Sequence, residues 1–78
     1  DSATIDAEYE NGRLTELLNR FIGSLSEEKR VIFILRYFSS RSLIDIAQQL
    51  GISEGKVKTI LFLVRESLRG ELEEEGLL

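Results

Sequence analysis

The 78-residue chain carries 10 basic and 14 acidic side chains, a net charge of −4, and contains no cysteine, histidine, methionine, proline or tryptophan. Such a length supports one domain with a small core. Disulfides, thiol nucleophiles and thiolate metal sites are excluded, the commonest general base and zinc ligand are missing, no apolar run reaches membrane-span length, and no signal peptide is visible.

Residues 1–12 are polar and acidic. Ile5 and Tyr9 stand one helical turn apart, so a frayed turn or two is expected, and Gly12 weakens a continuous helix by about 1 kcal/mol relative to alanine. A start at Asp1 without any methionine suggests a piece of something longer. Residues 1–13 therefore read as a partly ordered extension, the end of an interdomain linker, and residues 14–78 as the domain. From Leu14 the pattern is clean: Leu14, Leu17, Leu18, Phe21, Ile22 and Leu25 recur at helical spacing, which predicts a helix ending near Gly23 with a core-facing stripe.

Ser26 is placed to cap a second helix, with Glu27 and Glu28 in the first turn, where the helix dipole favours acids. The run Val31-Ile32-Phe33-Ile34-Leu35-Arg36-Tyr37-Phe38 follows. Its β-branched start resembles a buried strand, but the cap, the length and the lack of a partner strand favour a helix. Val31, Ile34, Leu35 and Phe38 form one stripe; Ile32 and Phe33 point elsewhere. Either the first helix covers that second side or it stays open for a partner, which makes Ile32 and Phe33 candidate partner-binding residues.

After the polar loop Ser39-Ser40-Arg41, Ser42 caps a helix over Leu43–Leu50 in which Ile46, Ala47 and Leu50 share a face. Gly51 ends it, because the left-handed conformation of a helix stop suits glycine. Ile52 returns to the core and Ser53 caps a last helix running from Glu54 to about Glu75, with Gly76-Leu77-Leu78 frayed. Val57, Ile60, Leu61, Val64 and Leu68 form its apolar stripe. A small residue, a glycine four later and a valine six after that, with apolar residues between, is the helix-turn-helix pattern. The predicted fold class is all-α, four helices containing a helix-turn-helix.

Charge is distributed unevenly. Residues 1–28 carry seven acids and two bases, residues 29–69 eight bases and three acids, and residues 70–78 four glutamates. The positive segment brackets the helix-turn-helix, where a phosphate-facing surface requires it. An accidental clustering on an ordinary mixed surface is the alternative.

Opposite its apolar stripe the last helix presents Gly55, Thr59, Phe62, Leu63 and Glu66, flanked by Lys56 and Lys58. A DNA major groove admits a helix and reads it by its N-terminal residues. Thr59 can bond a base or touch a thymine methyl, and Phe62 offers apolar contact alone. Lys58 reaches a guanine edge or a phosphate, and Lys56 a phosphate. Arg41 and the N–H groups at Ser42 and Leu43 are suited to gripping the duplex backbone. Arg65 is either a phosphate contact or a solvated side chain. The candidate DNA-binding set is Arg41, Ser42, Ser53, Gly55, Lys56, Lys58, Thr59, Phe62, Leu63 and Arg65. Two large apolar side chains beside a core stripe, Phe62 and Leu63, call for a covering partner unless the first helix packs over them.

Residues 25–72, with a looser fit over 14–24, resemble the C-terminal promoter-reading domain of bacterial RNA polymerase sigma factors of the extracytoplasmic-function type. The resemblance rests on Leu25, Arg36-Tyr37, Ser42, Ile46-Ala47, Gly51-Ile52-Ser53, Gly55, Val57-Lys58, Leu61-Phe62 and Arg65. Departures are Ser26 where proline is usual, Asp45 as the acid before Ile-Ala, Lys56 for the usual threonine, and Ile60 and Leu63 at positions normally basic. The resemblance implies a cytoplasmic domain without cofactor that reads the minus-35 promoter element in double-stranded DNA. It also implies docking on the beta-subunit flap of core RNA polymerase, and anti-sigma factors often cover domains of this family.

Other readings stand beside it. The output domain of a response regulator shares the Ile-Ala, Gly-Ile-Ser and Val-Lys signature but dimerises on palindromic sites. A protein-interaction module that keeps the fold without DNA is favoured by Ile60 and Leu63. No nucleophile–base spacing or phosphate loop supports an enzyme, and no metal or catalytic residues are assigned.

Overall fold

A computed structural model describes the backbone of residues 2–78 and the side chains of residues 12–78. Four helices make up the fold: α1 (Ser2–Ser24), α2 (Glu27–Tyr37), α3 (Leu43–Leu50) and α4 (Glu54–Glu74), with no strand among the described residues. α1 runs without a break through Gly12; the side chains of Ile5 and Tyr9 lie outside the described residues.

Local chemistry sets the remaining boundaries. Ser26, Ser42 and Ser53 each sit in extended backbone, and each hydroxyl accepts the N–H three residues on, from Lys29, Asp45 and Lys56. This satisfies one otherwise orphaned donor per helix start. α3 stops at Gly51, whose φ of 67° is left-handed; the N–H groups of Gly51 and Ile52 both donate to the Ala47 carbonyl. The expected fraying at 76–78 is replaced by a second cap of this kind. Gly76 takes φ 69°, its N–H donates to the Glu73 carbonyl and that of Leu77 to the Leu72 carbonyl, so Leu77 folds back half-buried.

α4 is the central element, packed against both α2 and α3, which also meet each other. The core comprises Phe21, Ile32, Phe33, Ile46, Ala47, Val57, Ile60, Leu61 and Val64. Among the described side chains of α1, Leu17 and Phe21 are buried, and the Phe21 ring meets Phe33 edge-on at 6.2 Å. Arg30 ties the two helices further: its guanidinium donates to the carbonyls of Ile22, Gly23 and Leu25 at the C-terminal end of α1, where a cation also suits the helix dipole. At the far end Arg13 donates to the Glu75 carbonyl, and the Arg20 guanidinium lies 3.8 Å from the Glu75 carboxylate.

The orientation of α2 corrects the sequence expectation. Ile32 and Phe33, the candidate partner surface, are 0% and 6% exposed and belong to the core. Ile34 and Phe38, expected inside, are 36% and 66% exposed. The helix is enclosed by neighbours on the Ile32–Phe33 side: α1 supplies Phe21, and α3 and α4 pack against it. Polar residues disguise that face, because Lys29 and Arg36 flank Ile32 at helical spacing. Such side chains lay their apolar stems along a core while keeping the charge in water.

Candidate nucleic-acid interface

The turn between α3 and α4 aims the N-terminal half of α4 outward. Val57, Ile60, Leu61 and Val64 are buried on its inner face. Gly55, Thr59, Phe62, Leu63 and Glu66 are all exposed on the opposite face, Phe62 at 55% and Leu63 at 49%. α1 does not cover them. Of the two departures at positions normally basic, Ile60 therefore falls inside the core and Leu63 alone changes the outer surface.

The candidate cations are placed as follows. Lys56 and Lys58 flank the exposed face, and both are engaged. The Lys56 Nζ lies 3.3 Å from Oε2 of Glu28 on α2, and the Lys58 Nζ 3.6 Å from Oε1 of Glu54, one turn back on α4. The Arg65 Nη1 donates to the Tyr37 hydroxyl at 3.0 Å, above an apolar hollow lined by Phe33, Tyr37 and Leu68. Arg41 is exposed, and its side chain has no partner among the described residues. Its backbone is fixed: its N–H donates to the Leu35 carbonyl at 3.0 Å, and its carbonyl accepts from Arg36 Nη1 at 3.0 Å. The same loop holds Ser40 at φ 53°, a left-handed conformation that a non-glycine residue adopts at a cost.

Ser42 and Ser53 are used structurally as helix caps. A hydroxyl that accepts a backbone N–H still has its own proton to donate, so capping leaves both able to bond a phosphate oxygen. The N–H groups of Ser42, Leu43 and Ile44 at the start of α3 have no partner among the described residues. Gly55 has open space where a Cβ would sit, so packing within the domain does not demand glycine there.

Sequence reasoning missed two residues that shape this surface and counted a third, Arg30, among its positive charges. Glu28 pairs with a lysine 28 positions away, and Tyr37 binds Arg65, neither of which leaves a local spacing signal. Arg30 is spent on the end of α1 and does not belong to a phosphate surface. The Glu54–Lys58 pair was readable, since four-residue separation brings side chains together on a helix. No buried polar side chain occurs among the described residues, and no group of three acidic, histidine or cysteine side chains there could hold a metal ion. No described helix is long and apolar enough to cross a membrane.

A last helix with a buried stripe, a glycine-ended preceding helix and two more helices bracing them define a helix-turn-helix domain. The family "Sigma-70, region 4" matches residues 15–68, and the chain belongs to it. The RNA polymerase sigma factor SigF of Mycobacterium tuberculosis, in strains CDC 1551 / Oshkosh and H37Rv, is 32% identical over 69 residues. The alignment covers 88% of this chain and 26% of that protein, so the chain spans about a quarter of its relative's length. Membership in this family sets aside the response-regulator reading.

Proposed function

We propose that the domain reads the minus-35 promoter element in double-stranded DNA, as the promoter-recognition part of a cytoplasmic sigma factor that directs RNA polymerase to start transcription. The observation that carries this reading is the exposed face of α4: Thr59, Phe62 and Leu63 stand opposite the buried stripe, with Lys56 and Lys58 beside them. Laid in a major groove, this face offers Thr59 to a base edge and Phe62 and Leu63 to thymine methyl groups. Gly55 allows close approach of the duplex backbone. Ser42, Ser53, Lys56, Lys58, Arg41 and Arg65 hold phosphates on either side, with the α3 N-terminus adding free N–H donors. Residues 14–78 are the working unit in this reading, and 1–13 belong to the connection with the rest of the sigma factor.

Contacts with the beta-subunit flap of core polymerase, or with an anti-sigma factor, pass in this reading to the exposed apolar side chains Ile34 and Phe38. They share one face of α2, a turn apart.

The test is selection of bound duplexes from a random pool, followed by titration of the selected sequence against salt. A single asymmetric motif is expected. With three to five phosphate contacts, log affinity should fall against log salt with a slope of about −3 to −4. Failure to enrich any motif, with equal binding of selected and scrambled duplexes at every salt, would remove the reading.

A further inference from the structure

Resting on that reading, we propose that Glu28 is an affinity-setting residue: its carboxylate occupies the Lys56 ammonium in the free domain and must be displaced when a DNA phosphate binds there. The pair joins the starts of two different helices. Glu28 lies in the first turn of α2 and Lys56 in the first turn of α4, with Nζ 3.3 Å from Oε2. Both side chains are about half exposed, 51% for Lys56 and 50% for Glu28, so a phosphate can reach the lysine and the pair can open at small cost.

The surroundings make the competition one-sided. Glu27 and Glu28 line one hollow with Val31, Leu50 and Ile52, the last two residues flanking the α3–α4 turn. The acidic start of α2 is therefore packed against the corner from which the reading helix emerges. On α4 itself Glu54 holds Lys58. Both lysines of the candidate interface are thus already paired with carboxylates, and a duplex gains their charge only after breaking those pairs. Phosphate binding at Lys56 further leaves the Glu28 carboxylate close to a polyanion, which either repels the duplex or draws in a cation from solution. Each effect weakens binding and flattens its salt dependence. Glu28 thus lowers the sequence-independent part of the affinity and leaves the base contacts of Thr59 and Phe62 untouched.

The experiment measures binding of the 78-residue chain to a mixed-sequence duplex across a salt series, for wild type, Glu28→Gln, Lys56→Ala and the double variant, with thermal melts to verify folding. Glu28→Gln should bind roughly three- to fivefold tighter at low salt, the scale of one exposed ion pair. Its log–log salt slope should steepen by up to about 1. In the Lys56→Ala background the same change should gain clearly less, since the specific partner is gone. Two results overturn the inference: wild-type binding that Glu28→Gln leaves equal or weakens, or an equal gain with and without Lys56, which would mean a diffuse charge effect. Absence of binding by every folded form at the lowest salt overturns the DNA-binding reading itself, and is distinguishable from either.

Discussion

The two halves of α4 share one apolar stripe and face opposite tasks. From Glu54 to Arg65 the helix carries three bases and one acid; from Glu66 to Glu75 it carries five acids and one base. The first half is braced on its inner side by the core residues of α2 and α3 and leaves Thr59, Phe62 and Leu63 bare. The second half meets α1, through Arg13 and Arg20 at Glu75 and a hollow shared by Leu17, Ser24, Glu71 and Glu74. One unbroken helix joins the two, fully buried side chains occur only in the first, and charge tells them apart. In the proposed complex a duplex lying along the whole helix would set the five glutamates of the second half against phosphates. The helix must therefore enter the groove by its N-terminal end with its acidic end directed away.

The comparison breaks most severely if the inner face of the first half is hollowed. Leu61 is 2% exposed at the centre of the core, and Leu61→Ala should cost about 2–5 kcal/mol, enough to unfold much of so small a domain. Leu72, half-buried in the second half, should cost clearly less as alanine. Urea melts of the two variants decide it, and equal losses would show that the halves are not unequally braced. The next largest effect is at the corner that aims the first half. Gly51→Ala meets open space, so its cost is that of a left-handed backbone alone, about 1–2 kcal/mol, read from the same melts.

Phe62→Ala probes the outer face. The ring is more than half exposed, so stability should change by no more than about 0.5 kcal/mol. Sequence preference should change instead: the variant should lose about 1 kcal/mol of discrimination at one base pair of the selected site, the low end of a mismatch cost. Deoxyuridine in place of thymidine at that position should reproduce the loss for wild type and have little further effect on the variant. An effect of deoxyuridine that is undiminished in the variant would detach the methyl group from Phe62.

What could be read in advance divides along the same line. Helix starts at Ser26, Ser42 and Ser53, the stop at Gly51 and the buried stripe of α4 follow from rules acting within a few residues, and all appear where expected. The exposure of Thr59, Phe62 and Leu63 follows from that stripe by geometry alone. The roll of α2 does not, because a helix apolar on two sides is oriented by its neighbours. Phe21 from α1 draws Phe33 inward and leaves Phe38 outside. Nor could the occupancy of the interface be read, since Lys56 meets Glu28 and Arg65 meets Tyr37 across 28 residues each. The C-terminal cap at Gly76 obeys the same glycine rule as Gly51, against the general tendency of terminal residues to fray.

The smallest effect gives the sharpest version of the comparison, because one charge can be removed at either end of α4. Lys58→Ala and Arg20→Ala each delete a single exposed cation engaged in a loose ion pair, at 3.6 Å and 3.8 Å respectively. Exposed pairs contribute about 0–1 kcal/mol, so both variants should melt near the wild-type temperature. Net charge changes identically, so a duplex sensing only the total charge of the domain would bind both equally less well. A duplex engaged by the first half of α4 should instead lose affinity for Lys58→Ala, with the salt slope shallower by about 1. Arg20→Ala should change neither beyond a small long-range term, because its charge lies beside Glu75 at the opposite end of α4 and is screened over roughly 8–10 Å at moderate salt. Two equal losses would mean that the segregation of charge along α4 does not direct how DNA approaches.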